Sequence, residues 1–269
     1  MTRLRGRDVP RPWGRMRVWE GGDGVALLAV HGLGGSGRYF QGLASRLEGR
    51  FAVVAPDLAG FGASSKPADE TYDRAFHLAN LDAALEGHDG EVTVLGHSIG
   101  GVIAALWAAA HADRVRAVAL ISAPYPDGDG SWGWMREGRP PRHAIASKVI
   151  GVLVAALSLP VGIARGYPAA VAFDYGRQDL LGRARTMWWA LHDPDVKEET
   201  LTIGEALDDI PVFLMHARDD RTVAPGAMDR WSDLLPHAER HRVASGGHQF
   251  LIRVGGNDLV EWLDATFRR

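Results

Sequence analysis

The segment Gly96-His97-Ser98-Ile99-Gly100 restricts what this chain can fold into more than any other feature of the sequence. It begins where the apolar run Val92–Leu95 ends, and the helical stretch Ile99–Ala110 overlaps its end. A serine on such a sharp strand-to-helix turn has a strained backbone and needs small neighbours, because other chain segments approach it closely. The glycines two positions before and after the serine meet that need. The segment therefore predicts a serine at the end of a strand, with the N–H groups of a helix N-terminus beside it.

Short apolar runs alternate with longer amphipathic segments, which is the pattern of a parallel sheet with crossover helices. Continuous hydrophobicity in the later runs suits strands that are covered on both faces. The sequence therefore predicts an α/β fold with a mostly parallel central sheet flanked by helices. The predicted strands are Met16–Glu20, Val25–Val30, Phe51–Ala55, Val92–Leu95, Ala117–Ile121, Pro211–Met215 and Glu239–Val243, and the predicted helices are Arg38–Leu47, Tyr72–Glu86, Ile99–Ala110 and Asp258–Phe267.

The strand pattern is interrupted at residues 124–210, a segment too long to be a simple loop. We expect a mainly helical lid there, with a separately folded small domain as the alternative, and a core formed by residues 1–123 and 211–269. The segment contains an uncharged apolar run, Val149–Ala164, of 16 residues. Because a bilayer span needs roughly 20 residues, we interpret the run as a buried or lid helix, with contact at a membrane interface as the second interpretation.

Composition narrows the classes of partner. Of the 269 residues, 46% are hydrophobic and 23% are charged, as in an ordinary globular protein. The formal net charge of −3 gives no reason to expect nucleic acid or an anionic membrane as a partner. Because the chain has no cysteine, disulfides, thiolate metal sites and a cysteine nucleophile are excluded.

Positive charge gathers at the start of the chain, where no apolar stretch follows it. The pattern is therefore not that of a secretory signal, and the cytoplasm is the default expectation. We expect this start to be a ragged, solvated terminus. The arginines concerned are Arg3, Arg5, Arg7, Arg11, Arg15 and Arg17.

A histidine is the expected partner of Ser98, because a serine hydroxyl needs a base to remove its proton near neutral pH. Of the 11 histidines, His248 follows a predicted strand within a glycine-rich loop, which would let its ring reach back over the sheet. His216 ends another predicted strand close to the same edge, and for it we expect a structural role.

Five segments, taken in chain order, resemble the α/β-hydrolase fold family. His31–Gly35 resembles the His-Gly oxyanion loop, and Pro56–Ser64 resembles the Pro-Asp-x-x-Gly-x-Gly-x-Ser loop after the next strand. Gly96–Gly100 resembles the nucleophile elbow, Ala217–Val223 the acid-bearing loop and Gly246–His248 the histidine loop. The resemblance covers nearly all of the chain outside the expected lid and implies the α/β-hydrolase fold.

The resemblance implies a catalytic triad in the chain order Ser98, Asp220 and His248. The choice of acid lies between Asp219 and Asp220, since only one of the two can point at the histidine from a tight turn. In the family pattern the acid stands three residues after a small residue, and Ala217 takes that position, where glycine is usual. This favours Asp220, whose role would be to fix the histidine tautomer and to stabilise the imidazolium.

The resemblance also assigns roles to backbone groups and to framework side chains. The N–H groups of Leu33 and Ile99 would form the oxyanion hole. His31 and His97 would be framework residues, and Asp57 a structural loop residue.

The function implied is a carboxylic-ester hydrolase, or a related lactonase or thioesterase, that acts through an acyl-enzyme on a small to medium, hydrophobic substrate. A serine nucleophile argues against haloalkane dehalogenases and epoxide hydrolases, which resemble this chain but use aspartate. The alternatives left open are C–C bond hydrolysis, a cofactor-free biosynthetic rearrangement, a perhydrolase-type haloperoxidase and a ligand-binding receptor that retains the triad.

The substrate is expected to be a small molecule, and no cofactor, metal, nucleic acid or membrane span is expected. The sequence indicates no oligomeric state. Tryptophans in the lid suggest an aromatic substrate pocket, with packing of the lid against the core as an equal alternative. They are Trp132, Trp134, Trp188 and Trp189.

Overall fold

The computed structural model describes residues 2–47, 49–126, 160, 168–177, 179–253 and 256–268. These residues contain a mostly parallel sheet of eight strands. Across the sheet the strands follow the order β1-β2-β4-β3-β5-β6-β7-β8. Strands β1 and β2 pair antiparallel to each other, β2 pairs antiparallel to β4, and the remaining pairs are parallel. The strands are β1 (Arg5–Arg11), β2 (Gly14–Gly21), β3 (Val25–Val30), β4 (Phe51–Pro56), β5 (Val92–His97), β6 (Val115–Ile121), β7 (Val212–Ala217) and β8 (Glu239–Val243).

Strand β1 corrects the expectation of a ragged terminus. All of its residues pair with β2, from Arg5 opposite Glu20 to Arg11 opposite Gly14. Val9 is the only residue of β1 whose side chain is buried, as is common on edge strands. The hydrophobic pattern therefore did not predict this strand. The Arg7 guanidinium binds the Glu20 carboxylate across the pair, with Nη2 at 2.7 Å from Oε1.

Helices cover both faces of the sheet. Successive residues of a buried strand face opposite sides, so Leu27 and Leu28 of β3 belong to two different hydrophobic cores. One core includes residues of α2 (Arg74–Ala84) and α3 (Ile99–Ala110), and the other includes residues of α1 (Gln41–Ala44) and the C-terminal helix Asn257–Phe267. These layers confirm the expected α/β architecture with a mostly parallel central sheet.

Three helices are described between β6 and β7: α4 (Ala169–Gly176), α5 (Leu180–His192) and α6 (Pro194–Ala206). Both α5 and α6 contact α3, and Val196 and Ile203 of α6 belong to the same core as α3. Most of Val149–Ala164 lies outside the described residues, and the division between core and lid stays a prediction. Of the helices described, none is long and apolar enough to cross a membrane.

The remaining helices are α7 (Ala227–Leu234), α8 (Phe250–Arg253) and α9 (Asn257–Phe267). The parallel strands have their carboxyl ends at the same edge of the sheet, which is where ligands bind in open α/β sheets. The loops after β3, β5, β7 and β8 all begin at this edge, and they carry the residues that the sequence singles out.

Candidate active site

Ser98 sits on a strained turn between β5 and α3. It is one of the non-glycine residues with positive φ, at φ 57° and ψ −132°, and it is only 4% exposed. The neighbouring glycines leave no room for a side chain. A Cβ on Gly96 would lie 2.4 Å from the Gly100 carbonyl oxygen, and one on Gly100 would lie 2.4 Å from the carbonyl oxygens of Val30 and His31. The turn therefore depends on both glycines.

The structure brings Ser98, His248 and Asp220 together. His248 Nε2 lies 2.9 Å from Ser98 Oγ, and His248 Nδ1 lies 2.8 Å from Asp220 Oδ2. An ionised carboxylate only accepts hydrogen bonds, so Nδ1 carries the ring proton. In this tautomer Nε2 is the acceptor that faces the serine hydroxyl, which is the arrangement needed to remove its proton.

The Asp220 carboxylate is buried and fully hydrogen-bonded. Its Oδ1 accepts the backbone N–H groups of Thr222 and Val223 at 2.8 and 3.0 Å, and its Oδ2 faces His248 and His216. Burial raises the pKa of Asp220, but the hydrogen bonds from His216 and His248 outweigh it and hold the pKa well below its usual range. Asp220 is therefore ionised at neutral pH.

Asp219, the other candidate acid, points elsewhere. Its exposed carboxylate accepts the backbone N–H groups of Gly247 and Gly246 at 2.8 and 3.2 Å. These two hydrogen bonds lower the pKa of Asp219. Asp219 thus connects the loop after β7 to the loop that carries His248, while Asp220 contacts the imidazole itself.

Two buried histidines hold the backbone around the serine. His97 stacks on Tyr39 with ring centroids 4.8 Å apart, and its Nε2–H donates to the His248 carbonyl oxygen at 2.9 Å. His31 donates from Nδ1 to the Gly32 carbonyl oxygen at 2.7 Å and accepts the Leu58 N–H at Nε2. Burial lowers the pKa of His97 to about 3 and that of His31 to about 4, so both rings are neutral at neutral pH.

The loop after β3 lies directly against the serine. A Cβ on Gly32 would come within 2.7 Å of Ser98 Cβ. The next residue is Leu33, and Ile99 is the first residue of α3. Within the described part of the chain, the backbone N–H groups of Leu33 and Ile99 donate to no other residue. Both donors are thus unpaired among the described residues, and the oxyanion-hole role expected of them stays a prediction.

The loop that contains Asp57 forms a second buried polar cluster. Asp57 Oδ1 accepts hydrogen bonds from the Gly37 N–H at 2.6 Å and from the Trp19 indole N–H at 2.9 Å, and Oδ2 accepts the Ala63 N–H at 2.7 Å. Burial raises the pKa of Asp57 to about 6 despite these bonds. The carboxylate connects strand β2, the turn at Gly37 and its own loop, and it lies in contact with Gly62, where a Cβ would be 2.2 Å from Oδ2.

Asp174 on α4 is a functional candidate that sequence reasoning missed. It is buried, and its Oδ2 accepts hydrogen bonds from Ser36 Oγ at 2.6 Å and from Arg38 Nε at 2.7 Å. Ser36 directly follows the loop His31–Gly35. Asp174 therefore fastens α4 to the loop beside Ser98. Its partners are 138 and 136 residues away, and no local pattern indicates such a contact.

The tryptophans proposed for a substrate pocket divide into two groups. Trp189 on α5 is buried in the core that includes α3, and its ring centroid lies 5.3 Å from that of His77. This environment supports the packing alternative for Trp189. Trp132 and Trp134 lie outside the described residues, as does the side chain of Trp188, so their pocket role stays a prediction.

Comparison with known proteins identifies the fold. Residues 25–149 match the family model described as alpha/beta hydrolase fold. The thioesterase domain from the curacin biosynthetic pathway superimposes with a TM-score of 0.74 at 17% identity, covering 97% of this chain and 99% of that one. E-2-(Acetamidomethylene)succinate hydrolase gives a TM-score of 0.70 at 20% identity, covering 99% and 100%. Identities this low establish the fold and leave the activity open.

Sequence relatives include hydrolases and a protein of unassigned activity. An uncharacterized protein of Mycobacterium tuberculosis is 36% identical over 44% of this chain and 37% of its own length. A 2-hydroxymuconate semialdehyde hydrolase of a Pseudomonas species is 31% identical over 48% and 49%, and lipase 1 of Psychrobacter immobilis is 35% identical over 40% and 33%. The chain thus spans about a third to a half of the length of these curated relatives.

Proposed function

Because the protein has the α/β-hydrolase fold, we propose that it is a serine hydrolase that cleaves carboxylic esters, or the related lactones and thioesters, through an acyl-enzyme. The observation that carries the proposal is the hydrogen-bonded series from Ser98 Oγ to His248 Nε2 at 2.9 Å and from His248 Nδ1 to Asp220 Oδ2 at 2.8 Å. This series aligns a serine hydroxyl, an imidazole and an ionised carboxylate.

In the acylation step, Ser98 Oγ attacks the substrate carbonyl carbon while His248 Nε2 takes the hydroxyl proton. Asp220 stabilises the resulting imidazolium, and its carboxylate stays ionised throughout. The tetrahedral oxyanion accepts hydrogen bonds from the N–H groups of Leu33 and Ile99; loss of one such donor costs about 10²–10³ in rate in acyl-transfer enzymes. The leaving alcohol or thiol then takes the proton from His248 as the tetrahedral intermediate collapses.

In the deacylation step, a water molecule replaces the leaving group. His248 Nε2 removes a proton from the water, the hydroxide attacks the acyl carbon, and Ser98 Oγ leaves with the proton returned by His248. The products are a carboxylic acid and the regenerated serine hydroxyl, so the cycle is balanced without a cofactor.

The test is labelling with a fluorophosphonate probe, which reacts only with an activated serine, followed by intact mass measurement and peptide mapping. We expect rapid labelling of the wild-type protein at Ser98 alone and none in Ser98→Ala. In His248→Ala we expect a loss of several orders of magnitude. A folded wild-type protein that the probe does not label would overturn the serine-hydrolase proposal and favour a ligand-binding protein of the same fold.

A substrate panel then separates the reaction classes. It consists of p-nitrophenyl esters, acyl thioesters and lactones graded by acyl length, for which we expect ester turnover to be the fastest. The similarity to a 2-hydroxymuconate semialdehyde hydrolase supports a second candidate, hydrolysis of a C–C bond, so that compound belongs in the panel. Its turnover in the absence of ester turnover would favour the second candidate.

A further inference from the structure

A second histidine lies on the carboxylate of the proposed triad. His216 is at the carboxyl end of β7 and is buried, four residues before Asp220. Its Nε2 lies 3.2 Å from Asp220 Oδ2 and 3.2 Å from the Val223 carbonyl oxygen. Both neighbours are acceptors, so Nε2 carries the ring proton. The single Nε2–H of His216 is therefore shared between these two acceptors, one of which is the carboxylate oxygen that His248 Nδ1–H also contacts.

We propose that His216 is a positioning residue, whose Nε2–H holds the Asp220 carboxylate in the orientation that His248 needs. The proposal rests on the proposed hydrolase function and extends it by one residue. It differs from the sequence-based expectation of a purely structural role for His216, because the contact is made with Oδ2, the atom that faces His248.

The pattern of donors around Asp220 gives the physical reason. The N–H groups of Thr222 and Val223 hold Oδ1, and the imidazoles of His216 and His248 contact Oδ2, so all four restrain the rotation of one planar carboxylate. The torsion between the Asp220 Cβ and its carboxylate is soft. His248 belongs to a loop of its own and has to change charge during the proposed reaction. His216 stands on a buried strand, so it is the fixed one of the two donors to Oδ2.

Loss of the His216 N–H would also change the electrostatic environment of His248, through the Asp220 carboxylate. Hydrogen bonds to a carboxylate disperse its negative charge, and without this one more of that charge would face the His248 ring and favour its imidazolium form. The titratable groups that face His248 are Asp220, Ser98 and His97, with ring centroids of His97 and His248 4.9 Å apart. The titratable groups that face Asp220 are His216 and His248, and the carboxylate of the adjacent Asp219 is directed to the backbone of the His248 loop.

The experiment uses the full chain with two substitutions that separate donation from packing. His216→Gln keeps an N–H donor, because the Gln side-chain amide nitrogen reaches about as far from Cβ as the histidine Nε2 does. His216→Leu keeps buried volume and removes the donor. The matched control is His237→Leu, since His237 Nε2 also donates to a backbone carbonyl, that of Ile210, but at the opposite end of β7.

The measured quantity is the second-order rate constant of fluorophosphonate labelling at Ser98 from pH 5 to 9, with the melting temperature of each variant. For His216→Leu we expect a loss of about 10–100-fold, because a hydrogen bond to a charged group is lost. We also expect the acidic limb of its pH profile to move to higher pH. His216→Gln should keep the wild-type rate within about threefold, and His237→Leu should keep the wild-type profile.

Two outcomes would overturn the inference. In one, a folded His216→Leu protein labels with the wild-type rate and pH profile. In the other, His216→Gln loses as much labelling as His216→Leu and the losses follow the melting temperatures, as expected of a structural residue.

Failure of the proposed function is a different outcome, since the wild-type protein itself would then not label. In that case the NMR signal of the His248 Nδ1 proton still decides the inference, because its chemical shift reports the hydrogen bond to Asp220 Oδ2. The shift should change in His216→Leu and stay near the wild-type value in His216→Gln, and an unchanged shift in His216→Leu would overturn the inference.

Discussion

Two buried carboxylates, Asp57 and Asp220, stand near the carboxyl ends of parallel strands and accept similar numbers of hydrogen bonds, yet their chemistry differs. Asp57 receives its bonds from two backbone amides and the Trp19 indole, none of which changes protonation near neutral pH. Asp220 receives two from backbone amides and two from imidazoles. Burial is the largest influence on both pKa values, raising each of them.

The two carboxylates differ in whether their hydrogen-bond donors can change charge. The donors of Asp57 are fixed dipoles, so burial prevails and its pKa rises to about 6. The imidazoles reverse the balance at Asp220, whose pKa falls below its usual range. In the proposed reaction His248 becomes an imidazolium, which gives Asp220 a positively charged partner. The Asp57 cluster offers no such change, so it is suited to holding loops together. Four predictions test this contrast, in order of decreasing effect.

The largest effect is expected for Asp220→Asn. A carboxamide cannot counter the imidazolium charge, and it can hold His248 in the wrong tautomer, so labelling of Ser98 should fall by about 10³–10⁴-fold. The melting temperature and far-UV circular dichroism serve as the control for folding. A folded Asp220→Asn protein that labels within tenfold of the wild type would show that this carboxylate is not the triad acid.

The second prediction concerns pH and Asp57. Its pKa is raised to about 6 in the folded protein, so the group favours folding at low pH, and this contribution is lost as the pH rises from about 4 to 6. Over that interval the free energy of unfolding of the wild type should fall by about 3 kcal/mol relative to Asp57→Asn. Urea unfolding at stepped pH measures the difference, in which the other titrating groups cancel. A difference that is constant with pH would contradict the raised pKa.

The third prediction concerns Asp57→Asn at neutral pH. The new amide NH₂ must face an N–H donor of Ala63, Gly37 or Trp19, so one hydrogen bond becomes a repulsion between donors. We expect a loss of about 1–3 kcal/mol in the free energy of unfolding. Ser98 labelling of the folded fraction should stay within about threefold of the wild type, because Asp57 has no contact with the triad. A loss of labelling comparable to that of Asp220→Asn would remove the distinction between the two carboxylates.

The smallest effect is expected for Asp219→Ala. Its exposed carboxylate holds the N–H groups of Gly246 and Gly247, and water can replace it there. Labelling of Ser98 should fall by about 3–10-fold as the His248 loop becomes less well fixed, with little change in melting temperature. If Asp219→Ala reduced labelling more than Asp220→Asn did, the result would contradict the proposal that Asp220 is the triad acid.

Local patterns were enough to predict the central strands and the serine turn. Val25–Val30, inside the sheet, and Glu239–Val243, at its edge, both form strands with the predicted bounds. Strand Arg5–Arg11 was missed since its stability comes from pairing with β2 and from ion pairs, which hydrophobic periodicity does not register. The predicted helix Arg38–Leu47 is shorter in the structure, where a 3₁₀ turn precedes Gln41–Ala44.

Residues whose role depends on distant partners could not be predicted in the same way. The bonds of Asp174 to Ser36 and Arg38 join segments more than 130 residues apart, and nothing near Asp174 in the sequence marks it. The preference for Asp220 over Asp219 came from the resemblance to the family pattern, because the two residues themselves give no local reason to choose. Both follow β7, and only the position of the His248 loop in space distinguishes the one that meets the imidazole.

The separation of the proposed triad along the chain has a consequence during synthesis. Ser98 and His248 are 150 residues apart, and His248 follows the last strand of the sheet. A nascent chain that has left the ribosome only as far as β6 can form the serine turn, but it has neither the base nor the acid. Because contacts so distant in sequence form late, the serine would become reactive only when folding is nearly complete. If Ser98 reacts as proposed, its labelling would also measure how far a chain has been made and folded.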